Sequence, residues 1–194
     1  MRNLEKIKKE AIEEHVPIIM DDTLEKIGEI VGDRKFKRIL EIGTAVGYSA
    51  LCFTKFLDEN GEIDTIERND EMIKKAKENI KLARNDVKIN LFEGDAVEIL
   101  KTLNNRYDMV FIDAAKSKYP IFLEESLRIL TDDGIIFADN ILYKGYVMSD
   151  YNKHKQRTAV THLREFIKMI TTNDRLETQI IDVGDGLSYT KYAK

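Results

Sequence analysis

The spacing of apolar residues along the chain falls into two rhythms. Over residues 1–14, Leu4, Ile7, Ala11 and Ile12 recur at helical spacing among charges, which predicts an amphipathic helix. His15-Val-Pro-Ile-Ile-Met20 breaks the pattern, and Pro17 disfavours helix just before it. Asp21 or Asp22 can cap the next helix, over about 23–31, and Gly32 closes it. Short apolar runs then alternate with longer periodic ones. Strands are predicted at 38–43, 62–67, 87–92, 107–112 and 135–138, and helices at 48–57, 69–82, 96–103, 119–130 and 156–171. Two final runs, 176–182 and 187–192, flank Gly184-Asp-Gly186, a hairpin turn.

Strands that are apolar on both faces and separated by helices make a parallel sheet covered on both sides. The terminal hairpin adds an antiparallel strand. The segment at about 140–155 is expected as the one long loop, and neither a repeat nor a linker divides the chain. A single domain over residues 1–194, with an N-terminal helical segment at about 1–31, is therefore expected.

Composition narrows this picture in three ways. With 43% hydrophobic residues in 194, the chain can bury one sizeable core. The only cysteine, Cys52, lies in an apolar helical pattern and reads as a core thiol, so no disulfide framework exists within one chain. No stretch approaches a bilayer span and the N-terminus has no apolar signal segment, which leads to an expected cytoplasmic location. The net charge of -4 excludes a uniformly basic nucleic-acid coat. Two local clusters are basic nonetheless: Arg34-Lys35-Phe36-Lys37-Arg38, and Lys144, Lys153, Lys155 and Arg157 against Asp150 alone.

Candidate chemistry sits where strands end. Glu41-Ile-Gly-Thr-Ala-Val-Gly47 follows the first strand, and Gly43 and Gly47 permit a tight turn close to a ligand. The second strand ends in Glu67, whose two oxygens suit the paired hydroxyls of a ribose. The third leads into Glu93-Gly-Asp-Ala96, a turn that could border an adenine. Nothing here cradles several phosphates, and G-x-G-x-x-G is missing, which disfavours a nicotinamide dehydrogenase. The set suits a nucleoside without a pyrophosphate.

The next two strands end on oxygen-bearing side chains, Asp113 and the pair Asp139–Asn140. Neighbouring strand ends lie about 5 Å apart. Three such oxygens can face one point, a shell that Mg²⁺ favours. One cysteine and three scattered histidines make no zinc motif. Lys116, three residues after Asp113, could orient a substrate hydroxyl or take its proton, whereas Lys118 more readily faces solvent.

Taken together, E-I-G-T-A-V-G-Y-S, I-E-R, E-G-D-A, F-I-D-A-A-K and A-D-N-I-L resemble the class I metal-dependent O-methyltransferases, the group of the catechol and caffeoyl-CoA enzymes. The resemblance implies a Rossmann-like fold with a seven-stranded, mostly parallel sheet, an antiparallel last strand and helices on both faces. It implies S-adenosylmethionine and Mg²⁺ as cofactors. Asp113, Asp139 and Asn140 then fall at metal positions and Lys116 at the catalytic lysine. Val16, Ile18, Gly43, Tyr48, Ser49, Glu67, Asp95, Ala96 and Asp113 fall at cofactor positions.

Within that family, H-V-P-I-I (15–19), D-N-I-L-Y-K-G-Y-V (139–147) and the basic 153–157 stretch resemble the bacterial tRNA 5-hydroxyuridine methyltransferases. The expected reaction is methylation of 5-hydroxyuridine at the tRNA wobble position to 5-methoxyuridine. Lys144, Lys153, Lys155 and Arg157 would contact anticodon-loop phosphates, with Tyr143 or Tyr146 stacking on a base. A homodimer and a tRNA partner follow from the same resemblance. The chain departs from the animal catechol enzyme at Ala114 and in having no tryptophan. Two alternatives stand beside this reading: a small-molecule catechol or phenol O-methyltransferase with the same site, and a non-enzymatic nucleotide- or RNA-binding α/β domain.

Overall fold

The computed structural model describes residues 4–83, 87–149 and 156–194. Seven strands form one sheet in the order β3-β2-β1-β4-β5-β7-β6, mostly parallel, with β7 antiparallel to both of its neighbours and helices on both faces. This is the expected Rossmann-like architecture. The chain divides into two compact units, Met1–Ile99 and Leu100–Lys194.

In the first unit, β1 (Phe36–Ile42), β2 (Leu57–Glu67) and β3 (Lys88–Glu93) pair in parallel, with Ile42 opposite Ile66 and Ile66 opposite Phe92. Ile39, Leu40, Ile42 and Ile63 are fully buried, as strands covered on both faces require. Helices α1 (Leu4–Glu13), α2 (Asp21–Val31) and α4 (Asp70–Ala83) each bury one stripe, with Ile7 and Ala11, Ile27 and Val31, and Ile73 and Ala76, whereas the short α3 (Tyr48–Phe53) is buried nearly all round. Asn69 caps α4 by accepting from the amides of Glu71 and Met72 at 3.0 and 3.1 Å. Helix α5 (Ala96–Thr102) follows β3.

The second unit holds β4 (Tyr107–Ile112), α6 (Tyr119–Ile129), β5 (Leu130–Ala138), α7 (Arg157–Thr172), β6 (Leu176–Ile181) and β7 (Leu187–Tyr192). Pro120 starts α6 where its missing N–H costs nothing. Gly184 and Gly186 turn the β6–β7 hairpin at φ of 54° and 89°.

Two strands begin earlier than the hydrophobic pattern predicts. β2 starts at Leu57 rather than 62, and β5 at Leu130 rather than 135. Both begin with similar stretches, Leu57-Asp-Glu-Asn-Gly61 and Leu130-Thr-Asp-Asp-Gly134, and both shift register there. A Cβ on Gly61 would lie 2.8 Å from the Leu57 Cβ, and one on Gly134 2.7 Å from the Leu130 Cδ1. The glycine lets the chain fold back over its own leucine. The polar residues between them read as a turn, although the backbone has already joined the sheet.

Candidate functional site

The first unit presents the loop after β1. Its shape comes from three left-handed residues, Gly43, Ala45 and Gly47, at φ of 105°, 46° and 81°. Ala45 is not a glycine and holds this conformation against its Cβ penalty. Four hydrogen bonds hold the loop in place. The amides of Gly43 and Thr44 donate to the Ile66 carbonyl at 3.1 and 3.2 Å. The Ala45 amide donates to Glu67 Oε2 at 2.9 Å, and Asn79 Nδ2 donates to the Val46 carbonyl at 2.9 Å. Beneath the loop, the hydroxyls of Thr44 and Thr65 lie 2.5 Å apart, and Thr65 donates to the buried Glu41.

Glu67 stands at the end of β2 with both oxygens facing backbone amides. Oε1 accepts from Arg68 and Asn69 at 2.8 and 2.9 Å. A carboxylate offers about four acceptor positions, so with three taken about one, on Oε2, is left for a ribose hydroxyl. Asp95 caps α5 through the Val97 amide at 2.9 Å and is solvent-exposed, with Ala96 as the first residue of that helix. Val16, Ile18 and Ser49 are half-buried. Tyr48 turns inward and bonds the Cys52 thiol; burial pushes that thiol up to about 11 and raises the phenol as well. Cys52 is thus the core thiol that its apolar setting predicts.

The second unit brings four predicted residues together. Lys116 Nζ donates to Asp113 Oδ1 at 2.9 Å and to Asn140 Oδ1 at 2.7 Å. Asp139 lies beside them at the end of β5, 2% exposed, and accepts from the Asn140 amide at 2.7 Å. Burial, reinforced by the Asp113 carboxylate, pushes its acid up to about 7. Asn140 holds φ of 54°, which asparagine tolerates better than most residues. Among the described residues no group of three His, Cys, Asp or Glu side chains stands ready for a metal. The cluster has two carboxylates and an amide instead, an all-oxygen donor set around a point that already attracts the Lys116 ammonium. That chemistry fits a hard divalent cation. Lys118 is exposed, as expected.

Sequence reasoning missed Tyr119. Its hydroxyl lies 2.8 Å from the Asp139 carbonyl and 3.3 Å from the Ile112 carbonyl. Burial and the carboxylates of Asp113 and Asp139 push the phenol well above its ordinary range, so it remains a neutral donor. Its position three residues after Lys116, beside Pro120, was the available signal. Asn79, inside a charged helical pattern, carried none.

A family profile described as O-methyltransferase matches residues 4–192. The chain belongs to this O-methyltransferase family. A caffeoyl-CoA O-methyltransferase of Populus kitakamiensis is 32% identical over 160 residues, covering 78% of this chain and 68% of that protein. A catechol O-methyltransferase of Niastella koreensis is 30% identical over 151 residues, covering 76% and 67%. The crystal structure of the O-methyltransferase TomG from Streptomyces achromogenes, involved in tomaymycin synthesis and in complex with SAM, superposes with a TM-score of 0.86 at 25% identity, covering 98% of this chain and 89% of that one. The fold is that of the S-adenosylmethionine-binding class I methyltransferases.

These relatives correct the expectation of a tRNA 5-hydroxyuridine methyltransferase and of a tRNA partner. They are named for small molecules, and none of the three is a tRNA-modifying enzyme. The physical reason is that the decisive motifs do not report the acceptor. A catechol and a 5-hydroxyuridine both offer two adjacent oxygens, so these motifs do not tell them apart. The basic stretch was the discriminating feature, and Lys153 and Lys155 lie outside the described residues. Lys144 and Arg157 are exposed surface residues, which any solvated loop or helix start would show. No helix of the described residues is long and apolar enough to cross a membrane.

Proposed function

We propose that this O-methyltransferase methylates one hydroxyl of a small acceptor with two adjacent oxygens, of the catechol or caffeoyl type, and that it uses Mg²⁺. The net reaction moves a methyl group from S-adenosylmethionine to the acceptor oxygen and releases S-adenosylhomocysteine and a proton. The observation that carries the reading is the meeting of Asp113, Lys116, Asp139 and Asn140 at the ends of β4 and β5 in a chain of this family.

Asp113, Asp139 and Asn140 would hold the cation, and Glu67 with the loop of Gly43 to Gly47 would hold the nucleoside. When bound, S-adenosylmethionine supplies an electrophilic methyl group and Mg²⁺ supplies the charge that lowers the acceptor hydroxyl's pKa. Asp139 is nearly out of solvent. Its raised acid gains from any cation placed next to it. Lys116 spends two N–H bonds on Asp113 and Asn140. The third is left for the acceptor oxygen, so Nζ orients that oxygen and stabilises its negative charge. The buried Cys52 thiol suits a reducing compartment, and a cytoplasmic enzyme is part of this reading.

The test is transfer of labelled methyl from S-adenosylmethionine to catechol and to caffeoyl-CoA, with Mg²⁺ and then with a chelator. Label in either acceptor, lost with the chelator, is the expected result. No label in either would sink the acceptor class, and label unaffected by chelation would sink the metal.

A further inference from the structure

We propose that Tyr119 is a positioning residue that sets the spacing of the Asp113 and Asp139 carboxylates and the pose of Lys116. The inference rests on the reading of those residues as the cation- and acceptor-holding set.

Asp113 and Asp139 sit on the last turns of backbone leaving two neighbouring strands. Their separation is therefore set by how β4 and β5 are tied at that edge. The ladder ends there: the Asp139 amide donates to the Ile112 carbonyl at 3.0 Å, and no further strand pairing follows. Tyr119 supplies the next tie. Its hydroxyl bridges the carbonyl of Ile112, the residue directly before Asp113, and the carbonyl of Asp139 itself. One proton thus faces two carbonyls, one from each strand end.

The ring does a second task. The Lys116 ammonium lies 5.6 Å from its centroid, within cation–π range. Lys116 is thereby held from below by the ring and from the side by Asp113 and Asn140. The ring is itself fixed from behind. Phe166 of α7 meets it edge-on at 5.4 Å, and Phe122 of α6 packs at 6.4 Å. Tyr119 is 0% exposed, so it touches no ligand and acts only through the groups it holds. A phenol suits the place: phenylalanine keeps the ring but loses the tie, and serine reaches neither carbonyl from that backbone position.

The experiment is Mn²⁺ binding followed by electron paramagnetic resonance, alongside steady-state kinetics, on the wild type, Tyr119→Phe and Tyr192→Phe. Tyr192 is the control because its hydroxyl also donates to a backbone carbonyl, that of Leu127 at 2.7 Å, away from the site. Tyr119→Phe is expected to weaken Mn²⁺ binding roughly 10- to 100-fold, the usual scale for a group that orients metal ligands. Its kcat should fall while the KM for S-adenosylmethionine stays put. Tyr192→Phe is expected to lower the melting temperature without moving Mn²⁺ affinity. Wild-type affinity in Tyr119→Phe, or an equal loss in Tyr192→Phe, would overturn the inference. Failure of the wild type itself to bind Mn²⁺ would instead overturn the metal reading on which the inference rests.

Discussion

The backbone amide of Ala45 donates to the carboxylate of Glu67 at 2.9 Å, so a residue at the end of β2 holds a left-handed alanine in the loop after β1. Glu67 shapes the loop, and in the proposed function it also offers Oε2 to a ribose hydroxyl. Removing it should release the loop and the ligand together. Glu67→Ala is expected to weaken S-adenosylhomocysteine binding roughly 10- to 100-fold, the scale of one or two hydrogen bonds to a charged group. Calorimetric titration measures this. Affinity within about twofold of wild type would remove Glu67 from the nucleoside site.

Lys116 is expected to act on rate and not on cofactor binding. Lys116→Ala should lower kcat by roughly 10²–10⁴, the range for a positioned proton-handling group, with S-adenosylmethionine affinity unchanged. Lys116→Arg should rescue little, because a planar guanidinium cannot reproduce the compact ammonium between Asp113 and Asn140. Full activity in Lys116→Ala would show that the lysine is only a surface charge.

Glu62 gives a pH prediction away from the site. Hydrogen bonds from Lys88 first and Arg38 next hold its carboxyl at about 2, below the ordinary 4.5. Because the folded value is depressed, the pair's stabilisation is fully present above about 4.5 and is lost as pH falls through about 2. Lys88 is largely exposed, so the contribution is discounted to about 1–2 kcal/mol. Glu62→Gln should therefore unfold at lower urea than wild type at pH 7, with the gap closing between pH 4.5 and 2. A gap that stays constant on acidification would contradict the assignment.

Gly186 carries the segment that follows Asn140. A Cβ there would lie 2.3 Å from the Leu142 Cγ, and φ is already +89°. The Gly186 carbonyl also accepts from the Ile141 amide at 3.0 Å. Gly186→Ala should cost about 1–3 kcal/mol through overpacking and strain. Adding Leu142→Ala should return part of that loss, since the two positions are in contact. Thermal unfolding of the single and double variants measures both. Additive losses would show that the clash is relieved elsewhere.

The alternation of strands and helices, the antiparallel β7 and the meeting of Lys116 with Asp113 and Asn140 were legible in the sequence because each rests on a local signal. An apolar run that stops at an acid marks a strand end, and successive strand ends share an edge. The early starts of β2 and β5 were not legible, because Asp-Glu-Asn-Gly and Thr-Asp-Asp-Gly are turn residues by every local criterion. Their place in the sheet depends on Gly61 and Gly134 packing against leucines four residues back. Tyr119 and Asn79 were hidden for a related reason: each acts through a carbonyl supplied by a distant segment, and carbonyls leave no trace in sequence. The acceptor was misread because the motifs at the strand ends do not distinguish between molecules that bear two adjacent oxygens.

The central claim is that Asp113, Asp139 and Asn140 hold a cation for an acceptor with two adjacent oxygens. The measurement that tests it most directly compares kcat/KM for caffeoyl-CoA with that for its analogue lacking one of the two ring hydroxyls, in the same Mg²⁺ buffer. The account predicts methylation of the paired hydroxyl at least roughly 10²-fold faster than of the single one, because a site built around two oxygens leaves polar groups unmatched when one is missing. Equal rates on the two acceptors would contradict it.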